Sequence, residues 1–259
     1  MSQKVLLSGD EAIAQAALDS GIMAAFAYPG TPATEIMEYL QENIGDASND
    51  ESNNPISFRR VAQWCTNEKT AYESALGVSF VGRRTMVSMK HVGLNVAMDP
   101  FVNSALVRIN GGLVVVVADD PSMHSSQNEQ DSRLLADFAH VPCFEPSDQQ
   151  EAYDMVRAAF DYSEVHEVPV MVRIVTRLAH ARALVQTATP LPIANRGKTA
   201  DRLSWTLIPA LARKQWSALL GKQQAFRADG EKASRLALRS KELGVVTCGL
   251  ALAYYKENE

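Results

Sequence analysis

One carboxylate, Glu68, stands at the start of a helix-forming stretch in which small residues recur at Ala71, Ala75 and Gly77. Small residues let a neighbouring surface pack closely against a helix, so an acid in the first turn would be taken largely out of water. Burial shifts the pKa of a carboxyl group, which is one way proteins prepare an acid for proton transfer. Alternatively, Glu68 is an ordinary helix-start glutamate that interacts favourably with the helix macrodipole.

Two further polar segments each follow a short apolar run. The first is Tyr-Pro-Gly-Thr-Pro at residues 28–32, where the Thr31 hydroxyl and nearby N–H groups could hold a carboxylate at a helix N-terminus. The alternative for Thr31 is a simple N-cap. The second is Lys-His-Val-Gly-Leu-Asn at residues 90–95, where His91 could act as an acid or as a hydrogen-bond donor to developing negative charge. A structural histidine remains the alternative there.

A long polar stretch at residues 118–133 follows a third apolar run. It is too polar for a core and too long for a tight turn, which is typical of a functional loop. Arg133 could pair with a substrate carboxylate through two N–H groups, or form an ordinary surface salt bridge. We interpret the adjacent Asp119 and Asp120 as turn-capping residues rather than as metal ligands.

Short apolar runs alternate with helical patterns over the first two thirds of the chain. Because parallel strands need crossover connections, this alternation predicts a doubly wound, mostly parallel α/β sheet with helices on both faces. The candidate residues follow strands and should therefore share the carboxyl edge of the sheet. The predicted strands are residues 5–8, 24–28, 56–60, 85–89, 113–118 and 169–176, the predicted helices are 11–19, 32–43, 67–82, 93–110 and 148–162, and residues 45–55 are a predicted loop.

The character of the chain changes towards its carboxyl end. Residues 187–200 are rich in Pro, Thr and Asn, which suits a linker. A basic, tryptophan-containing helical stretch follows at residues 208–239, interrupted by Gly221 and Gly230, and residues 243–249 have the pattern of a strand that opens another βα unit. The predicted organisation is a domain at 1–185, a linker with helical segments at 186–242, and the first strand and helix start of an incomplete second α/β domain at 243–259.

Composition narrows the functional classes. The formal net charge is −5 over 259 residues, and no basic cluster suggests binding to nucleic acid or to an anionic membrane. The longest apolar run is too short to span a bilayer and no signal-type pattern opens the chain, so we expect a soluble, cytoplasmic protein. Cys65, Cys143 and Cys248 lie far apart, which favours reduced, buried thiols and no redox centre.

Residues 66–95 resemble the corresponding stretch of the pyrimidine-binding domain of thiamine diphosphate-dependent 2-oxoacid:ferredoxin oxidoreductases. The run at residues 90–95 is similar to that of indolepyruvate-type α subunits, whereas pyruvate-type relatives differ at this turn. Thr31 matches the Tyr-Pro-x-Thr-Pro turn of the family. The resemblance covers essentially the whole chain, and it implies oxidative decarboxylation of an arylpyruvate to an acyl-CoA with electrons passed to ferredoxin.

The resemblance also implies roles for individual residues. Glu68 would hydrogen-bond the aminopyrimidine of thiamine diphosphate and favour its imino tautomer, so that Glu68 and His91 would be the catalytic residues. The remaining implied contacts are Gly30, Thr31, Lys90 and Asn95 with the cofactor, and Thr31, His91 and Arg133 with the substrate.

In this family Mg²⁺ and the diphosphate are held by a Gly-Asp-Gly segment, and residues 8–10 and 228–230 are the nearest strings without its context. The resemblance therefore implies half a site, with Mg²⁺ and iron–sulfur clusters on a missing half or partner chain. We expect the chain alone to be inactive, and to work with a diphosphate-binding domain or subunit, CoA and ferredoxin, in a dimer or another homo- or hetero-oligomer. Two alternatives stay open: a non-catalytic orphan domain with a regulatory or assembly role, and the pyrimidine-type subunit of a non-oxidative thiamine diphosphate decarboxylase.

Overall fold

The computed structural model describes residues 3–45, 59–197, 201–237 and 242–258. The strands are β1 Lys4–Ser8, β2 Ala24–Ala27, β3 Val61–Trp64, β4 Thr85–Lys90, β5 Leu113–Asp119, β6 Cys143–Phe144, β7 Val170–Val175 and β8 Arg182–Gln186. The helices are α1 Gly9–Asp19, α2 Thr34–Asn43, α3 Glu68–Phe80, α4 His91–Val96, α5 Met98–Ser104, α6 Ser132–Ala139, α7 Gln149–His166, α8 Thr176–His180, α9 Pro209–Ala233 and α10 Ala251–Glu257, with a short 3-10 helix at Arg202–Trp205.

Six strands form one parallel sheet in the order β3-β2-β4-β5-β7-β6. This confirms the predicted doubly wound, mostly parallel α/β fold. The first predicted strand exists but lies outside that sheet, because β1 pairs antiparallel with β8 in a separate two-stranded ribbon. A local pattern identifies a strand but does not show which distant segment completes its hydrogen bonds.

Helices cover both faces of the sheet, as the burial of the central strand β5 shows. All seven of its residues are buried, and its side chains alternate between two cores. Val114 and Val116 pack in a core with α1, α2 and α7, while Val115 and Val117 pack in a core with α3, α5 and α6. The helices therefore hold the strands in place while leaving the carboxyl edge of the sheet to the connecting loops.

Two predicted elements differ in position. The strand predicted at residues 56–60 is displaced: β3 begins at Val61, which pairs with Ala24, while residues 46–58 lie outside the described residues. The predicted helix at residues 93–110 is two short helices, α4 and α5, that meet at Ala97. Pro100 explains the break, since its missing N–H is tolerated in the first turn of α5 but not in the interior of one long helix.

The carboxyl-terminal third differs most from expectation. Helix α9 runs through Gly221 and Gly230 without interruption, since an interior glycine costs a helix only about 1 kcal/mol. Residues 242–250, which contain the predicted strand at 243–249, form coil and a turn. Val246 is fully exposed there, and within the described segment no strand lies alongside it to complete a ladder.

The segment after β8 runs along the domain. The backbone N–H of Leu191 donates to the Asp19 carbonyl at 2.8 Å, and that of Ala194 donates to the Gly21 carbonyl at 3.0 Å. Further on, the Trp205 ring stacks on Phe80 with 4.7 Å between ring centroids. The domain boundaries drawn from the sequence stay a prediction.

Two smaller expectations concern thiols and membranes. The three cysteines are free, but none is fully buried: Cys65 and Cys143 are partly buried, and Cys248 is exposed because it lies in the coil before α10. Across the described ranges, no helix combines the length and the apolar character needed to cross a bilayer.

Candidate functional site

The turns that follow β2 and β4 meet at the carboxyl edge of the sheet through the loop after β5. The Ser125 hydroxyl donates to the Thr31 carbonyl at 3.1 Å, and the Lys90 ammonium donates to the Ser125 carbonyl at 3.3 Å. Gly30 lies directly against Lys90, since a Cβ at this glycine would approach the Lys90 Cδ to 2.9 Å. The structure thus brings together Gly30, Thr31 and Lys90.

Glu68 opens helix α3 beside the end of β3. Its neighbour Asn67 is the N-cap, accepting a hydrogen bond from the Thr70 N–H at 2.8 Å, so the predicted helix start is confirmed. The Glu68 residue is only 8% exposed, and its carboxylate has no hydrogen bond or ion pair with any residue that the structure describes. It packs against Gly93 of α4, where a Cβ would lie 2.4 Å from Glu68 Oε1.

The absence of a Cβ at position 93 is what gives the Glu68 carboxylate its place. The glycine belongs to the same run that carries Lys90 and His91, so the strand end of β4 and the helix start of α3 are tied together at this contact. A carboxylate so positioned is shielded from water and free to accept a hydrogen bond from a bound group.

His91 is the first residue of α4 and is fully buried. Its Nε2 lies 3.0 Å from the Asn128 backbone carbonyl and 3.2 Å from the Asn128 Oδ1. Because the carbonyl can only accept, Nε2 carries the proton in this arrangement. The other ring nitrogen, Nδ1, is buried without a hydrogen-bond partner among the described residues.

The turn before α2 differs from one sequence expectation. Helix α2 begins at Thr34 with Ala33 as its N-cap, so the alternative of Thr31 as the N-cap is wrong and Pro32 precedes the helix. A turn closed by the hydrogen bond from the Ala33 N–H to the Gly30 carbonyl delays the helix, and the Thr34 hydroxyl accepts from the Gly30 N–H at 3.1 Å. Thr31 itself is exposed at the edge.

Two other candidates are less closely tied to the edge contacts. Asn95 is exposed on α4. The Arg133 guanidinium is engaged by Asp131, with two contacts of 2.8 Å, and by Glu145 at 3.3 Å. The hydrogen bonds to Asp131, followed by the charge of Glu145, raise the pKa of Arg133 although partial burial opposes this. The ordinary salt bridge is therefore what this arginine forms here.

Residues that anchor the loop after β5 were only partly visible in the sequence. Asp120 accepts from the Ser125 N–H at 2.8 Å and from the Thr176 hydroxyl at 2.7 Å. Burial raises the pKa of Asp120, but these hydrogen bonds outweigh it and hold that pKa well below its ordinary value. The adjacent Asp119 is the last residue of β5 and accepts from Arg173 at 2.7 Å. The interpretation of the acidic pair as turn-capping residues rather than metal ligands stays a prediction. In the sequence, the only indication of these loop anchors was the pair of acids at the end of a predicted strand.

A cavity of about 870 Å³ opens farther along the same edge, between the ends of β5 and β7 and helix α10. Its lining includes His124, Arg177, His180 and Tyr254, but neither Glu68 nor His91. This cavity therefore lies beside the cluster around Glu68 rather than at it.

Comparison with known proteins identifies the family of the chain. Residues 15–200 match the family model described as "Pyruvate flavodoxin/ferredoxin oxidoreductase, thiamine diP-bdg". The indolepyruvate oxidoreductase subunit IorA of Archaeoglobus fulgidus is 40% identical over 264 residues, and that of Pyrococcus horikoshii is 41% identical over 266. Each alignment covers 98% of this chain, which spans 40% and 39% of those relatives.

A more distant relative and a solved structure extend the picture. The ketoisovalerate oxidoreductase subunit VorA of Pyrococcus furiosus is 29% identical over 168 residues, covering 64% of this chain and 40% of the relative. The 2-oxoglutarate:ferredoxin oxidoreductase of Magnetococcus marinus, solved with 2-oxoglutarate, coenzyme A and succinyl-CoA, has the same fold. Its TM-score is 0.65 at 17% identity, with 87% of this chain and 45% of that chain covered. With the family model matching most of its length, this chain belongs to the thiamine diphosphate-binding family of pyruvate flavodoxin/ferredoxin oxidoreductases.

Proposed function

We propose that this chain is the pyrimidine-binding part of a thiamine diphosphate-dependent 2-oxoacid:ferredoxin oxidoreductase that converts indolepyruvate or other arylpyruvates to acyl-CoA by oxidative decarboxylation. The observation that carries the proposal is Glu68: a buried carboxylate with no partner among the described residues, seated against Gly93 at the carboxyl edge of the sheet. The aryl preference is supported by the IorA relatives, about 40% identical to this chain.

The donor set fits the pyrimidine end of the cofactor. A buried carboxylate needs a hydrogen-bond donor, and an aminopyrimidine offers one from its amino group and, in its imino tautomer, one from a ring nitrogen. When bound, thiamine diphosphate supplies the electron sink that decarboxylation of a 2-oxoacid requires. Glu68 would bind the pyrimidine through a hydrogen bond at its carboxylate, in a place shielded from water.

The neighbouring residues have complementary roles in the proposal. The Gly30–Thr31 turn would line the cofactor and substrate, with Lys90 bracing it through the loop carbonyl of Ser125. His91 would hold a proton at Nε2 and face the reacting centre. Each of these hydrogen bonds is accepted by a backbone carbonyl, which helps to preorganise the edge before anything binds.

The proposal assigns contacts to two more residues, Asn95 and Arg133. Asn95, exposed on α4, would contact the cofactor from its outer side. Two N–H groups of the Arg133 guanidinium now donate to Asp131. Arg133 would bind a substrate carboxylate only if that carboxylate replaced Asp131.

The proposed reaction also needs groups and partners that this chain does not provide. It spans about 40% of the length of the IorA relatives, which are named as subunits. A diphosphate-binding domain or subunit would supply Mg²⁺ and iron–sulfur clusters, while CoA and ferredoxin would be the co-substrate and the electron acceptor. We place the assembly, a homo- or hetero-oligomer such as a dimer, in the cytoplasm.

The test is a Glu68→Gln variant in a complex reconstituted with a diphosphate-binding partner. General acid–base groups contribute about 10²–10⁴-fold, so indolepyruvate- and CoA-dependent ferredoxin reduction should fall at least about 100-fold while assembly on a sizing column is unchanged. Glu73→Gln on the exposed side of α3 is the matched control and should retain activity.

Three outcomes would count against the proposal. Full activity of Glu68→Gln would remove its basis. A wild-type complex that assembles but consumes no 2-oxoacid would favour a regulatory or assembly role. Release of CO₂ without reduction of ferredoxin would favour a non-oxidative thiamine diphosphate decarboxylase.

A further inference from the structure

Three ionisable side chains from three different helices converge behind the turn at residues 30–34. Asp10 lies in the first turn of α1, Glu35 in the first turn of α2, and His180 at the end of α8. One ligand atom from each lies within 4.8 Å of the others, and the His180 Nδ1 is 3.9 Å from the Glu35 Oε1. None of these residues takes part in the proposed chemistry at Glu68.

Asp10 makes this convergence unusual. The residue is fully buried, and neither carboxylate oxygen has a hydrogen-bond partner among the described residues. The Glu35 Oε2 is buried and unpartnered as well. A carboxylate buried without a compensating partner, as at Asp10, is strongly disfavoured, so a cation or a proton is expected between it and the partly exposed Glu35.

The described residues around this cluster do not offer another cation. The nearby Arg182 points elsewhere, to Glu11 at 3.3 Å. Among the described charged groups of α1, α2 and α8 at this cluster, only His180 can contribute positive charge, and its imidazole is 40% exposed.

We propose that Asp10, Glu35 and His180 bind a divalent transition-metal ion, with Zn²⁺ the best fit. Two carboxylates and one imidazole are a donor set suited to zinc, and three protein ligands would leave one tetrahedral position open. Of the three ligands, His180 also lies in the lining of the cavity at the ends of β5 and β7. Magnesium fits less well, since it prefers oxygen ligands throughout.

Such an ion would fasten three helices at one point. Glu35 follows Thr34, whose hydroxyl accepts the Gly30 N–H, so the ion would also steady the turn that carries Thr31. Its effect on the edge would therefore be structural, through the start of α2 rather than through contact with a substrate.

The test uses the untagged 259-residue chain, stripped with a chelator and titrated with Zn²⁺ by calorimetry. We expect one equivalent of zinc per chain, a higher melting temperature with zinc, and no comparable binding of Mg²⁺ at the same concentration. His180→Asn should weaken zinc binding at least about tenfold and lose the thermal shift. His124→Asn changes an exposed histidine of the same cavity outside the cluster and should bind zinc as the wild type does.

Asp10→Asn should abolish zinc binding. If this variant does not fold, the titration of His180→Asn still tests the proposal, because His180 is half-exposed. No saturable zinc uptake by the wild type would overturn the proposal, and so would equal loss in the His180 and His124 variants. An unmetallated wild type combined with a more stable Asp10→Asn variant at neutral pH would point instead to a proton shared by Asp10 and Glu35.

Discussion

The Glu68 carboxylate occupies the volume that a side chain at position 93 would need. A Cβ built on Gly93 would lie 2.4 Å from Glu68 Oε1 and 2.7 Å from Glu68 Cγ, far inside contact distance. Glycine at this position is therefore required by the acid, not by the backbone angles of α4. The two residues belong to different crossover connections, so their contact links the helix start of α3 to the strand end of β4.

Gly93→Ala should consequently disturb Glu68 more than it disturbs α4. Overpacking costs about 1–3 kcal/mol, which exceeds the about 1 kcal/mol that alanine gains over glycine in a helix. We expect a lower free energy of unfolding in urea and, in the reconstituted complex, activity reduced towards that of Glu68→Gln.

Gly77→Ala is the matched control within α3. A Cβ there meets no atom within 4 Å, so the variant should be more stable than the wild type by about 1 kcal/mol. If both alanine variants gain stability, the close contact between Glu68 and position 93 is wrong.

The cap residue before Glu68 gives a second prediction. Asn67 accepts the Thr70 N–H at 2.8 Å and thereby satisfies one open donor of the first turn, the turn that holds Glu68. Asn67→Ala should lower the free energy of unfolding by about 1 kcal/mol, whereas Asn67→Asp should keep the cap and most of the stability. Equal losses in the two variants, measured by urea denaturation, would argue against capping.

The sheet and its edge were predictable because their signals are local. An apolar run such as residues 113–118 between helical patterns indicates a buried parallel strand, and polar residues after it must emerge at the carboxyl edge. The pairing of β1 with β8 was not predictable, since Lys4 and Gln186 meet only in the folded chain.

The site was predictable to the same extent. Glu68, Thr31 and His91 each follow a strand directly, so their approach to one edge follows from topology. The ion pairs of Arg133 depend on Glu145, which follows β6, a two-residue strand too short to leave a pattern. The cluster of Asp10, Glu35 and His180 joins residues from three helices, and no spacing in the sequence marks it.

Helix α9 provides a third prediction because one of its described residues is buried in the core. Leu219 is its buried residue, at 2% exposure, whereas the adjacent Leu220 is 44% exposed. Leu219→Ala should cost about 2–5 kcal/mol locally and release α9, seen as faster amide hydrogen exchange in the helix while the sheet stays protected.

Leu220→Ala removes the same atoms from the surface and should change stability by less than about 0.5 kcal/mol. Equal exchange rates in the two variants would show that α9 is held by its other contacts, such as the hydrogen bond from the Lys222 ammonium to the His166 carbonyl at 2.6 Å.

The last prediction concerns the ion pair between Arg84 and Glu164. Two contacts of 2.9 Å join the guanidinium to both carboxylate oxygens, and both side chains are nearly buried. Glu164→Gln leaves a buried charge without its main partner and should cost about 3 kcal/mol, whereas Asp161→Asn removes an exposed partner and should cost less than about 1 kcal/mol.

The same pair should shape the acid limb of the stability curve. Burial raises the pKa of Glu164, but Arg84 outweighs it and sets the pKa below the ordinary value of 4.5. The folded protein therefore holds this carboxylate ionised more strongly than the unfolded chain does. The stability that the pair contributes is present above about pH 4.5 and is lost as the pH falls through the lowered pKa. Denaturation measured between neutral and acidic pH should show a shallower decline for Glu164→Gln than for the wild type, and parallel curves would contradict the assignment.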